Sequence, residues 1–148
     1  MTNVLVISVC AWALAQLLKV LIILVREKRL DLRFFVSSGG MPSAHSALVA
    51  ALATSIAFTE GIESVAFGIA VVLALIVTYD AADVRQSVGQ QSAVLNRIVH
   101  ELRLRRPVAE LERDLREFIG HTPFQVVIGI ALGVVVAWLW LFLVARYM

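Results

Sequence analysis

Five polar positions stand where an apolar chain would not place them without a use: Lys19, Arg26, His45, Asp80 and His121. Lys19 and Arg26 are seven residues apart, two helical turns, so a helix presents both cations on one face. Two cations on one face suit an anion, although a snorkelling lysine and a topological arginine are the better account of each residue taken alone. The run Gly39-Gly40-Met41-Pro42-Ser43-Ala44-His45-Ser46 sets a glycine turn directly before a helix start. Backbone N–H groups and the positive end of the helix dipole gather there, and the hydroxyls of Ser43 and Ser46 add donors. His45 is the right type of group to protonate a leaving oxygen near neutral pH.

Gly120-His121-Thr122-Pro123 repeats the arrangement, with a capping hydroxyl and a proline at the first helical position. His121 is a candidate nucleophile for phosphorus, which would split one difficult hydrolysis into two easier steps. In Tyr79-Asp80-Ala81-Ala82-Asp83-Val84-Arg85, Asp80 can orient a histidine or pair with Lys19 or Arg85. Arg85 has the planar fork that grips phosphate. Asp80 and Asp83 are a weak pattern for a divalent metal, so no metal ligand and no cofactor are assigned.

The elements that carry these groups follow from composition. The chain has 148 residues, room for a single domain over 1–148, and 60% of them are hydrophobic, with a mean hydropathy of +0.88. That excess must face lipid. A formal charge of +2 and a pI near 9.1 come without a basic face interleaved with aromatics, so nucleic acid is not an expected partner. The lone Cys10 lies in an apolar run and cannot form an intrachain disulfide. The opening residues lack a basic n-region and a small-residue cleavage site and read as a retained span.

Four apolar runs are expected to span: 3–25, 42–58, 65–79 and 123–145. The second is expected to start near Pro42, and the acidic stretch 59–64 to join two antiparallel helices. Residues 80–120 turn polar with heptad-like apolar spacing, as in amphipathic helices at the interface. The predicted fold is therefore all-α, an integral membrane bundle of about four transmembrane helices plus interfacial amphipathic helices. Basic residues crowd the connections after spans one and three (Arg26, Lys28, Arg29 and Arg33; Arg85, Arg97, Arg103, Arg105, Arg106, Arg113 and Arg116) and are absent from 60–64. Those two connections are expected to be cytoplasmic, giving a multi-pass cell-membrane protein whose polar motifs face the cytoplasm. Gly129, Gly133 and Ala137 form a small-residue ridge suited to close packing within the bundle or between copies, which leaves a homo-oligomer open. Trp12, Trp138 and Trp140 are read as aromatic anchors.

In this order the motifs resemble the type-2 phosphatidic acid phosphatase superfamily, related to vanadium-dependent haloperoxidases, and in particular its small divergent membrane branch. Its first block, K-x6-RP, is matched by Lys19 and Arg26 with Glu27 for proline; its second, PSGH, by Pro42-Ser43-Ala44-His45. Its third, SR-x5-H-x3-D, is matched loosely by Arg116, His121 and then Gln125 in place of the aspartate. The resemblance implies a metal-independent phosphatase acting on a lipid phosphate, a monoester or pyrophosphate. Lys19, Arg26, Ser43 and Arg116 would hold phosphate, with Gly40 and Ser46 completing the cradle. His45 would be the acid and His121 the nucleophile. Asp80 is expected to supply through space the carboxylate that Gln125 lacks, with Arg85 standing in for the displaced arginine. A nonenzymatic lipid-phosphate binder or carrier is the alternative, since it needs the cradle but not the nucleophile.

Overall fold

The computed structural model describes residues 3–27, 40–82 and 122–147. These hold four helices: α1 (Val4–Glu27), α2 (Ala44–Thr59), α3 (Val65–Ala82) and α4 (Pro123–Tyr147). Each begins on a short polar side chain. Asn3 Oδ1 accepts from the N–H of Leu5 at 3.1 Å and Ser64 Oγ from that of Phe67 at 3.1 Å. Ser43 Oγ accepts from Ser46 N–H at 3.4 Å, and Thr122 Oγ1 from Gln125 N–H at 3.4 Å. Capping matters here because hydrocarbon offers orphan amides no water. Gly61, at φ +90°, takes the left-handed conformation in the connection between α2 and α3.

The second helix departs from expectation in its start. Pro42 is not in the first turn; Ser43 is the cap, the helix begins at Ala44, and Met41–Pro42 is a cis peptide just before it. The serine hydroxyl satisfies an amide of the first turn, a service proline cannot perform, and it fixes the boundary two residues later. The third helix runs past Tyr79, so Asp80 lies in its last turn. The amphipathic segment expected over 80–120 falls, from residue 83 on, outside the described residues.

α2 is the hub, packed against α1, α3 and α4, whereas α3 and α4 barely meet. Its residues explain why. Ala44, Ala47, Ala50 and Ala51 are buried, and α4 faces them with glycines. A Cβ at Gly133 would strike the Ala47 carbonyl oxygen and lie 2.9 Å from Ala51 N; one at Gly129 would strike the Ser43 carbonyl oxygen. Ala51 and Ala137 then meet Ile7 and Ala11 of α1. This register, Ser43 with Gly129 and Ala47 with Gly133, makes α2 and α4 parallel, with α1 antiparallel to both. Trp12 packs on Ala15, Ala44 and Ala47, where small residues leave room for an indole. Trp138 stacks on Phe142 with ring centroids 5.6 Å apart.

α1, α3 and α4 are long and apolar enough to cross a membrane, and Leu17, Leu21, Leu75 and Phe142 lie exposed on their outer faces as lipid contacts. α2 has 16 residues and so reaches only about 24 Å, short of a hydrocarbon core of ~30 Å.

Candidate functional site: a recessed helix start beside a buried lysine

The topology brings the end of α1, the start of α2, the end of α3 and the start of α4 to one end of the bundle, where segments 28–39 and 83–121 attach. The start of α2 is sunk below its neighbours. Ser43 lies level with Gly129, six residues into α4, a recess of about 9 Å along that helix. Lys19 is eight residues short of the end of α1, about 12 Å inward. The positive end of the α2 dipole is therefore held inside the bundle, where low polarity strengthens every charge interaction.

Lys19 is 1% exposed, so it does not snorkel to an open interface. The Gly40 turn closes over its stem: a Cβ at Gly40 would sit 3.8 Å from Lys19 Cδ and 3.9 Å from Cγ. Gly40 also has φ +90°, which a side chain would strain. Beside this turn Ser43 and Ser46 are fully buried, and the Ser46 hydroxyl donates to the Ser43 hydroxyl at 2.9 Å. Ser43 N–H in turn donates to the Gln125 carbonyl oxygen at 3.1 Å, which docks the α2 cap onto the first turn of α4. Lys19, Gly40, Ser43 and Ser46 are thus brought to one corner formed by α1, α2 and α4.

Gln125 stands where the resembling block has aspartate, and its side chain has a local task. Its Oε1 accepts from Thr122 N–H at 3.2 Å while Thr122 Oγ1 accepts from Gln125 N–H. This reciprocal pair is a capping box, legible in the sequence as Thr-x-x-Gln and missed when position 125 is judged only as a lost carboxylate.

Two further assigned residues at this end of the bundle are exposed rather than buried. His45 is in the first turn of α2, next to the buried Ser46. Asp80 is exposed in the last turn of α3 and lines a cavity of about 740 Å³ with Tyr79, Pro123 and Val126. That cavity separates α3 from α4, and a second of about 420 Å³, walled by Ala50, Ala53, Val71 and Val134, continues it along α2 through the shared residues Leu75, Thr78 and Ile130. Arg26 lies in the last turn of α1, its side chain outside the described residues, and Arg85, Arg116 and His121 lie outside them entirely. Among the described residues no three His, Cys, Asp or Glu side chains come together as a metal site would need; Asp83 is not among them.

The sequence reading also passed over Gln16. It breaks the apolar run of α1 one turn before Lys19, is 5% exposed, and its Oε1 has no hydrogen-bond partner. The signal available was spacing: Ser8, Gln16 and Lys19 share one stripe with Ala11 and Ala15.

Comparison with known proteins agrees with this architecture. The family described as "Divergent PAP2 family" matches residues 1–136. An uncharacterised membrane protein of Bacillus subtilis (strain 168), YuiD, is 37% identical over 136 residues, covering 86% of each chain. No solved structure matches the chain.

Proposed function

The chain belongs to the divergent PAP2 family, and we propose that it is a membrane phosphatase that hydrolyses a lipid phosphate, a monoester or pyrophosphate, at the cytoplasmic end of the bundle. The observation that carries this reading is Lys19, buried beneath the Gly40 turn at the recessed start of α2. A buried ammonium, two buried serine hydroxyls and a helix N-terminus are together the donors that anionic oxygens take. Lys19, Ser43, Ser46 and the Gly40 turn hold the phosphoryl oxygens, with Arg26, Arg85 and Arg116 as further cations. The apolar cavities between α3 and α4 take the lipid's tail.

In the chemistry that fits these groups, a neutral imidazole nitrogen of His121 attacks phosphorus and the bond to the lipid oxygen breaks. His45 gives that oxygen its proton. Water then attacks the phosphohistidine, His45 takes the proton back, and inorganic phosphate leaves with His121 restored. Asp80 orients His121. The cytoplasmic orientation rests on the basic connections 28–39 and 83–121.

The test is release of inorganic phosphate from a panel of prenyl and diacylglycerol phosphates by the purified chain, with a chelator control. Turnover by wild type and none by His121→Ala is the expected result. Turnover that persists in His121→Ala rejects the nucleophile, and no release from any substrate rejects the enzyme. One observation favours a second reading, a lipid-phosphate carrier: the position of the third-block carboxylate is occupied by Gln125, whose side chain is engaged in a cap. A carrier binds lipid phosphate with the same Lys19 dependence and releases none of it as phosphate.

A further inference from the structure

Polar side chains within this bundle generally answer their own hydrogen-bonding needs. Ser8 donates to Val4 O at 2.8 Å, Thr59 to Ser55 O at 3.0 Å and Thr78 to Ala74 O at 2.7 Å, each a hydroxyl turned back on its own helix. Among the described residues two buried oxygens are not answered, Ser55 Oγ and Gln16 Oε1. A serine hydroxyl needs only a rotation about one bond to reach its own helix, so Ser55 carries no message. Gln16 is different, because its oxygen can only accept and no group in reach donates to it.

Gln16 is three residues before Lys19, on the same face of α1, and both are nearly wholly buried, at 5% and 1% exposure. Neighbours at this spacing lie about 5–6 Å apart at Cβ. Lys19 in turn lies beneath the Gly40 turn that leads into Ser43 and Ser46. The unanswered acceptor therefore sits at the same corner as the buried cation. Maintaining a bare acceptor in hydrocarbon is costly, and the cost disappears when a ligand brings a donor.

We propose that Gln16 is a further ligand of the phosphoryl group, accepting the proton of a singly protonated phosphoryl oxygen while Lys19 neutralises the unprotonated ones. The inference rests on the reading of this corner as a phosphoryl site. It makes Gln16 a specificity residue. A phosphate monoester has its second pKa near 6 and offers a P–OH at mildly acid pH, whereas a sulfate ester of the same shape and charge offers only lone pairs, which the amide oxygen repels.

The full chain in phosphatidylcholine nanodiscs, titrated calorimetrically with butyl phosphate and butyl sulfate at pH 6 and pH 8, reads this directly. Wild type should prefer the phosphate by roughly tenfold at pH 6, the worth of one hydrogen bond to a charged group, and less at pH 8. Gln16→Met keeps the volume and removes the acceptor; it should lose the preference for the phosphate ester at pH 6, with a melting temperature no lower than wild type. Gln16→Glu, nearly identical in shape, places a carboxylate against the anion and should weaken both esters, which keeps the test open if the methionine variant does not fold. A Gln16→Met protein that keeps the wild-type ratio, or a Gln16→Glu protein that binds butyl phosphate as wild type does, overturns the role of Gln16 alone. Failure of wild type to bind butyl phosphate at all overturns the phosphoryl site and the role of Gln16 with it.

Discussion

The two sides of α4 are built on opposite principles. Toward α1 and α2 it presents glycine and alanine, the backbones nearly touch, and Ser43 is held by the Ser46 hydroxyl and the Gln125 carbonyl. Toward α3 it presents Val126, Val127, Ile130 and Val134 across cavities of about 740 and 420 Å³. Small residues bring helices together because they let backbones approach; branched ones hold them apart unless a partner surface interlocks. The contrast separates two duties within one short chain. The tight side fixes the α2 start against α4, and the loose side leaves room for something apolar of variable shape.

The largest effect should come from closing the tight side. Gly133→Ala sets a methyl group against both the Ala47 carbonyl and the Ala51 amide, backbone atoms that cannot step aside. Overpacking of this kind should destabilise the fold by about 3 kcal/mol, the upper end of the usual range. Unfolding of the purified protein in detergent measures it, and an unchanged midpoint would mean that α2 and α4 are not in the contact described.

Second in size is the charge that the tight side positions. Lys19→Met retains most of the buried stem and removes the ammonium, so affinity for butyl phosphate should drop roughly a hundredfold. Intact affinity in a folded Lys19→Met protein would assign the lysine to topology and leave the corner without its anion.

Much of this division was legible in the sequence and part was not. The all-helical membrane bundle followed from apolar runs that had nowhere to go but lipid, and the close ridge of Gly129, Gly133 and Ala137 from spacing alone. What spacing could not give was depth. That the α2 start lies sunk below its neighbours depends on which residue of α4 meets Ser43, and register between distant helices leaves no local trace in either. The same limit hid the cavity that Asp80 lines with Pro123 and Val126 across from α3. The cap made by Gln125 was missed for another reason, since a family motif asks what is absent at a position, whereas the capping box shows what the glutamine does there.

A smaller effect tests how the tight side is anchored at its start. Thr122→Ala removes the hydroxyl that accepts from Gln125 N–H, and the loss of one N-cap costs about 1 kcal/mol. Because the Gln125 carbonyl also receives Ser43 N–H, loosening the first turn of α4 should blur the α2 start as well. Butyl phosphate affinity should therefore fall severalfold along with the melting temperature. A fall in melting temperature with affinity untouched would separate the cap from the site.

The smallest effect belongs to the loose side, and its sign is the informative part. A Cβ at Gly68 of α3 meets nothing within 4 Å, in contrast to the collisions at Gly129 and Gly133. With no steric penalty only the intrinsic preference remains, and alanine is better than glycine inside a helix by about 0.8–1 kcal/mol. Gly68→Ala should thus raise the unfolding midpoint slightly, the opposite of Gly133→Ala, from the same chemical change two helices away. Loss of stability instead would show that something packs on that face of α3, and the looseness ascribed to this side would have to be redrawn around it.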